Sequence, residues 1–218
     1  MLSEQNISVE PAVWRQIEKE RCMMERYDQD LAFMLRYENV AWYEDGKVRI
    51  LDRRVYPTEV TFVECTTYKE VKKAIADMVT QSAGPYTAAG MGMTLAAHEV
   101  EGKTEKEQTE FLAQASYDIS HARPTTANRM EIITKGCLEA AKKALAEGRS
   151  AVEACFCRTM DSLNRRYSTM EKVGEYLASL FPKNGTVMTQ CFGETIIGMM
   201  LRAARKHKND IKIYCAET

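Results

Sequence analysis

Toward its end the chain reads Gly185-Thr-Val-Met-Thr-Gln-Cys-Phe-Gly-Glu194, then an amphipathic stretch, then Ile211-Lys-Ile-Tyr-Cys215. Two short apolar runs joined by a helix make the strand–helix–strand opening of a parallel α/β sheet, because parallel strands need a crossover connection. Cys191 falls at the carboxyl end of the first strand, where open α/β sheets bind ligands. There its thiolate would be stabilised by the positive end of the following helix. The competing reading of a lone cysteine is a buried, inert thiol. The sheet is expected to stop before a third strand, leaving an unpaired edge that recruits a partner.

The rest of the chain carries a core of ordinary size. At 218 residues, 45% apolar and 28% charged, it suits one or two globular domains. Thirty basic against 31 acidic residues give a net charge of −1, so no bulk field favours nucleic acid or an anionic membrane. No run approaches the roughly 18 apolar residues of a membrane span. Met1-Leu-Ser-Glu-Gln-Asn6 lacks the basic start and apolar core of a signal peptide. Seven cysteines without such a signal point to reduced thiols and a cytoplasmic location.

Helical spacing of Met24, Tyr27, Leu31 and Met34 predicts a helix over about 10–37. In Ala41-Trp-Tyr-Glu-Asp-Gly-Lys-Val-Arg-Ile-Leu51, Asp45-Gly46 separates two apolar runs and predicts a hairpin. A third strand at Glu59-Val-Thr-Phe-Val-Glu64 completes a small antiparallel sheet. Thr67-Tyr-Lys-Glu70, Thr104-Glu-Lys-Glu107 and Ser150-Ala-Val-Glu153 are capping-box signatures of three helices. Pro124 and Gly148 bracket another. The small-residue run Thr87-Ala-Ala-Gly-Met-Gly-Met-Thr-Leu-Ala-Ala97 suits a helix packed closely on a neighbour.

Phe181-Pro-Lys-Asn-Gly-Thr186 breaks the helical pattern. It divides the chain into a helical extension (1–40), a hairpin-plus-helical domain (41–181) and a strand–helix–strand unit (182–218). In that unit Val187-Met188 and Ile211 to Tyr214 read as buried strands, and the helix between them presents Ile197, Leu201 and Ala204 on one side.

Two further segments could bind anions. Arg123 stands immediately before Pro124, beside a helix amino terminus whose free N–H groups attract phosphate. Gln81-Ser-Ala-Gly-Pro-Tyr86 is a loop entering a helix, without the Gly-Lys-Ser/Thr of a P-loop. Taken alone, Arg123 reads rather as an ordinary surface arginine in a loop, and the 81–86 loop is a weak signal. Cys155 and Cys157 lie two apart in a helix and face different ways, which suits packing rather than a metal. His98, His121 and His207 are scattered without zinc-ligand spacing. Arg202-Ala-Ala-Arg-Lys-His-Lys208 reads as a solvated helix end that offsets the macrodipole.

Five pieces, in order, carry a resemblance: Leu51-Asp-Arg-Arg-Val-Tyr-Pro-Thr-Glu59, Ala83 to Ala97, Ala122-Arg-Pro-Thr-Thr-Ala-Asn128, Val187-Met-Thr-Gln-Cys191 and Tyr214-Cys-Ala-Glu-Thr218. Together they resemble the methylthioribose-1-phosphate isomerase family. That family also includes ribose-1,5-bisphosphate isomerases and regulatory subunits of a translation-initiation nucleotide exchange factor. The resemblance implies an α/β fold: a small amino-terminal antiparallel β and helical domain, followed by the truncated start of a Rossmann-like parallel sheet. It implies an aldose–ketose isomerase turning a (modified) ribose 1-phosphate into the ribulose 1-phosphate, without cofactor or metal. Cys191 then matches the family's catalytic cysteine and Arg123 its substrate-binding arginine.

Three departures accompany the match. The family's aspartate would lie beyond Thr218. Its Arg-Gly-Ala-Pro phosphate cradle aligns to Thr80-Gln81-Ser82-Ala83 without the arginine, with Gly84-Pro85 as a shifted remnant. Thr80, Gln81, Ser82 and Gly84 are thereby the expected cradle. Phe192-Gly193-Glu194 replaces Asn-Ala-Gly, and Glu194 is suited to carry a proton. The implied partners are a phosphorylated pentose and either a second copy or a companion chain supplying the carboxyl-terminal part. Neither nucleic acid nor membrane is expected. The alternative is a non-catalytic regulatory paralogue that binds a phosphosugar or nucleotide.

Overall fold

The computed structural model describes residues 26–216. Asp45 and Gly46 take positive φ, 47° and 75°, and close the primed turn between β1 (Ala41–Glu44) and β2 (Lys47–Leu51). β3 (Phe62–Cys65) pairs antiparallel on the far side of β2, with Val48 opposite Cys65 and Leu51 opposite Phe62. It begins later than the Glu59–Glu64 run suggested. Asp52 explains the delay: its N–H donates to Thr61 O at 2.9 Å, and its carboxylate accepts from the Arg54 N–H at 3.0 Å. These bonds fold the intervening residues into turns.

Among the described residues, six longer helices build the core beside this sheet. In α1 (Tyr68–Ala76), Thr67 Oγ1 accepts from Glu70 N at 3.3 Å and the Glu70 carboxylate accepts from Thr67 N at 3.0 Å. Thr104 and Glu107 repeat the reciprocal cap at the start of α3 (Glu105–Ser120). Each such cap is worth about 1 kcal/mol. Between them α2 (Gly84–Glu99) is the central helix, buried on every side over most of its length. Its small residues make that burial feasible. A methyl on Gly90 would come within 2.6 Å of Thr159, and one on Gly92 within 2.9 Å of Val71.

Pro124 opens a 3-10 turn (Pro124–Thr126) that leads into α4 (Ala127–Ala146). The helix stops at Gly148 (φ 67°), where Arg149 N donates to Ala144 O at 2.7 Å and Gly148 N to Leu145 O at 2.9 Å. This is the left-handed cap that glycine favours. α5 (Ala151–Ser179) follows, with Ser150 accepting from Glu153 N at 3.4 Å.

α5 packs along α2, α4 and α6 (Glu194–Lys206), the helix that joins β4 (Asn184–Thr189) to β5 (Asp210–Cys215). The two strands are parallel, in register from Asn184 opposite Asp210 to Thr189 opposite Cys215. They are not buried strands: Met188 is 75% and Tyr214 61% exposed, while Val187, Ile211 and Ile213 are half-covered. One face is therefore open. Leu201 is also exposed. The buried stripe of α6 is Ile197, Met199, Met200, Ala203 and Ala204, because α5 approaches on the Met199 side. A methyl on Gly174 would lie 2.8 Å from the Met199 backbone.

The helix expected over 10–37 lies in part outside the described residues. From residue 26 it is not a continuous helix: only a 3-10 turn (Phe33–Leu35) and the single helical turn Tyr37–Val40 form. The segment instead straps α5 to α6. Tyr37 Oη donates to Asn164 at 2.9 Å and Tyr167 Oη to Leu35 O at 2.8 Å. Leu35 sits over Gly198, and Arg202 donates to Tyr27 O at 2.7 Å while pairing with Asp30 and Glu171. Lys206 and His207 pair with Glu175. The basic run at 202–208 is thus partly a docking surface rather than a solvated face.

Inside the strap, the Arg26 guanidinium bridges buried Asp28 (2.6 Å) and Glu38 (2.7 Å), and Asp28 also accepts from Tyr37 N at 2.7 Å. Hydrogen bonds from Arg26 hold the Glu38 carboxyl below its ordinary value although burial opposes this. A depressed folded-state value contributes stability above the ordinary carboxylate range, lost as pH falls through it. The Tm advantage of the parent over Glu38→Gln should therefore be larger at about pH 7 than at about pH 3.5 in thermal melts. A gap independent of pH would contradict this.

Cys65, Cys137 and Cys155 are buried free thiols, and Cys191 and Cys215 are exposed ones. Cys157 is disulfide-bonded, which corrects the expectation of uniformly reduced thiols.

Candidate functional site

The loop before α2 is a tight turn. Ser82 has a positive φ of 55°, and Gly84 N donates to Gln81 O at 2.8 Å. Only glycine fits at 84, since a methyl there would fall 1.9 Å from Thr80 Oγ1. The loop is tied to the end of β2 by Arg53 N donating to Val79 O at 2.8 Å. From the other side α5 contributes Arg166, whose guanidinium donates to Ala83 O at 3.3 Å.

Glu194, the first residue of α6, closes this arrangement. Its Oε1 accepts from Arg53 Nη2 at 2.5 Å and from Ser82 Oγ at 3.3 Å. The ion pair is largely enclosed, with side chains 17% and 10% exposed. The space left among Arg53, Thr80, Gln81, Gly84, Arg166 and Glu194 is about 20 Å³, enough for one water molecule and not for a sugar. The Nε atoms of Arg53 and Arg166 are buried and find no acceptor among the described residues. Two orphaned donors beside a carboxylate mark an anion seat, since unpaired buried donors are costly. Here the protein's own carboxylate occupies it.

Of the residues singled out from sequence, Thr80, Gln81, Ser82, Gly84 and Glu194 are brought together at this seat. Cys191 stands apart on the turn between β4 and α6, exposed, with its carbonyl accepting from Thr189 Oγ1 at 3.0 Å. It lies at the carboxyl end of β4 and does not line the cavity. Arg123 is half-buried before the 3-10 turn, its carbonyl accepting from Thr126 N at 3.2 Å, and it also lies outside the cavity. Sequence reasoning missed Arg53 and Arg166. Arg53 lies within the Leu51–Glu59 piece that carried the resemblance, which was the available signal. Arg166 had none.

No group of His, Cys, Asp and Glu among the described residues is placed to hold a metal ion. No described helix is long and apolar enough to cross a membrane.

Known proteins match this architecture. A methylthioribose-1-phosphate isomerase of Roseiflexus castenholzii is 29% identical over 197 residues, covering 81% of this chain and 53% of that protein. One of Pelotomaculum thermopropionicum is 26% identical over 194 residues, covering 83% and 52%. The chain thus spans about half the length of these curated relatives. Among solved structures, the translation initiation factor eIF-2B delta subunit from A. fulgidus aligns with a TM-score of 0.64 at 24% identity, covering 80% of this chain and 53% of that one. The 5-methylthioribose 1-phosphate isomerase from Pyrococcus horikoshii also gives 0.64, at 21% identity, covering 79% and 50%. These two likenesses establish the fold. Residues 81–218 match the model of the Initiation factor 2 subunit family, and the chain belongs to that family.

Proposed function

We propose that this chain forms the amino-terminal part of an aldose–ketose isomerase acting on a phosphorylated pentose of the methylthioribose 1-phosphate kind. In this reading β4 and β5 begin a Rossmann-like sheet. Its open face and edge are completed by the rest of the family fold, as a continuation of the chain or on a companion chain. The observation that carries the reading is Cys191, exposed at the carboxyl end of β4 directly before α6, on a chain similar to two named isomerases.

The reaction needs no external oxidant. The ring oxygen takes a proton, the bond from C1 to that oxygen breaks, the hydrogen on C2 ends on C1, and the C2 hydroxyl loses its proton to become the ketone. Acid–base groups and a dry, charge-stabilising pocket drive such steps. Arg123 and the 80–84 loop would hold the phosphate, and Cys191 would face the reacting carbons. Glu194 would have to release Arg53 before carrying a proton.

A second reading, a regulatory subunit that binds sugar phosphate without turning it over, is favoured by the Glu194 carboxylate already seated on Arg53. The test is an isomerase assay with methylthioribose 1-phosphate and ribose 1,5-bisphosphate, with and without the carboxyl-terminal half of the family fold. Ketose formation is expected in its presence. Tight binding of either sugar with no turnover in any combination would leave the regulatory reading standing instead.

A further inference from the structure

A groove of about 490 Å³ runs between the start of α2, the start of α4 and the middle of α5, and it meets the anion seat at Ala83 and Arg166. Four arginines line it: Arg129, Arg158, Arg165 and Arg166. Elsewhere Arg26, Arg53, Arg54 and Arg202 each hold a carboxylate. None of the groove's four does so among the described residues, and no aspartate or glutamate lines it. In a chain of net charge −1, four guanidiniums left together without counter-charges repel one another unless an anion joins them.

Local structure supports a built site. Arg158 donates to Ser162 Oγ and lies flat along α4, where Gly136 leaves room for it; a methyl at 136 would fall 2.8 Å from its guanidinium. A glycine in a helix interior costs about 1 kcal/mol relative to alanine, and here the space it leaves is filled by this arginine. The Nε of Arg166 is buried without an acceptor. Apolar surface from Tyr86, Ile132 and Met170 lines the same groove.

We propose that this groove is a second binding site, taking the phosphate or diphosphate group of a small phosphorylated metabolite. Arg129, Arg158, Arg165 and Arg166 hold the anion through charge-assisted, bidentate hydrogen bonds, and the organic part packs on Tyr86, Ile132 and Met170. The groove borders the loop assigned to the isomerase substrate's phosphate, sharing Ser82 and Ala83 with it, but neither Cys191 nor Arg123 lines it.

Calorimetric titration of the whole chain with inorganic pyrophosphate, in low-salt chloride buffer, tests this. Arg158→Ala and Arg165→Ala should each weaken binding by about tenfold or more, and Arg123→Ala should leave it unchanged. Arg165 is exposed, so Arg165→Ala carries the test alone if Arg158→Ala fails to fold. Absence of pyrophosphate binding by the parent would overturn the proposal. So would binding that survives loss of Arg165 but not loss of Arg123, which would put the ion in the sugar site and leave the isomerase reading intact. Conversely, groove binding without isomerase turnover would remove only the proposed catalysis.

Discussion

Cys191→Ser should slow ketose formation from methylthioribose 1-phosphate by about 100-fold or more, the usual scale for a lost acid–base group. The substitution changes one atom on an exposed turn beyond β4. Surface changes of this kind usually alter stability by less than about 0.5 kcal/mol, so Tm should not move. The comparison therefore separates chemistry from folding. A turnover number equal to the parent's would remove Cys191 from the mechanism. The isomerase reading would then rest on the anion seat alone. A Tm drop matching the rate loss would show that the serine acts through stability.

The second large effect concerns Tyr167, which is 1% exposed. Its ring meets Tyr37 edge-on at 4.8 Å between centroids, and its hydroxyl donates to Leu35 O at 2.8 Å. Burial pushes its phenol above the ordinary value, so it stays a neutral donor at neutral pH. It also lines the cavity closed by Glu194. Tyr167→Ala should cost about 3–5 kcal/mol through the cavity left behind, a Tm loss of roughly 6–20 °C for a chain of this size. Tyr167→Phe keeps the packing and removes the bond to Leu35, and should cost only about 1–2 kcal/mol. Circular-dichroism melts of the two variants decide the matter. Equal losses would mean that the hydroxyl, not the ring, fastens the strap.

Much of the local structure was legible because its causes are local. Asp45-Gly46 closes a hairpin by its own conformational preference, and Thr67/Glu70 and Thr104/Glu107 cap helices through bonds spanning three residues. Gly148 ends a helix in the same self-contained way. The strap around residues 26–40 was not legible, although Tyr27, Leu31 and Met34 have helical spacing. Their segment serves partners on α5 and α6, and such contacts override a periodicity that only describes which residues are apolar. The same holds for Leu201, whose spacing fits the buried face but whose exposure depends on where α5 docks.

For the candidate site the division is sharper. The sequence by itself determined the family-like order of motifs, the 80–84 turn before a helix, and a cysteine at a strand end before another. Tertiary structure alone decided that Arg53 and Glu194, 141 residues apart, share one ion pair, and that arginines from α4 and α5 face a common groove. Hydrogen-bonded turns and caps close within a few residues, so their information is local. An ion pair or a shared cavity between distant segments depends on how helices pack, which no short pattern encodes.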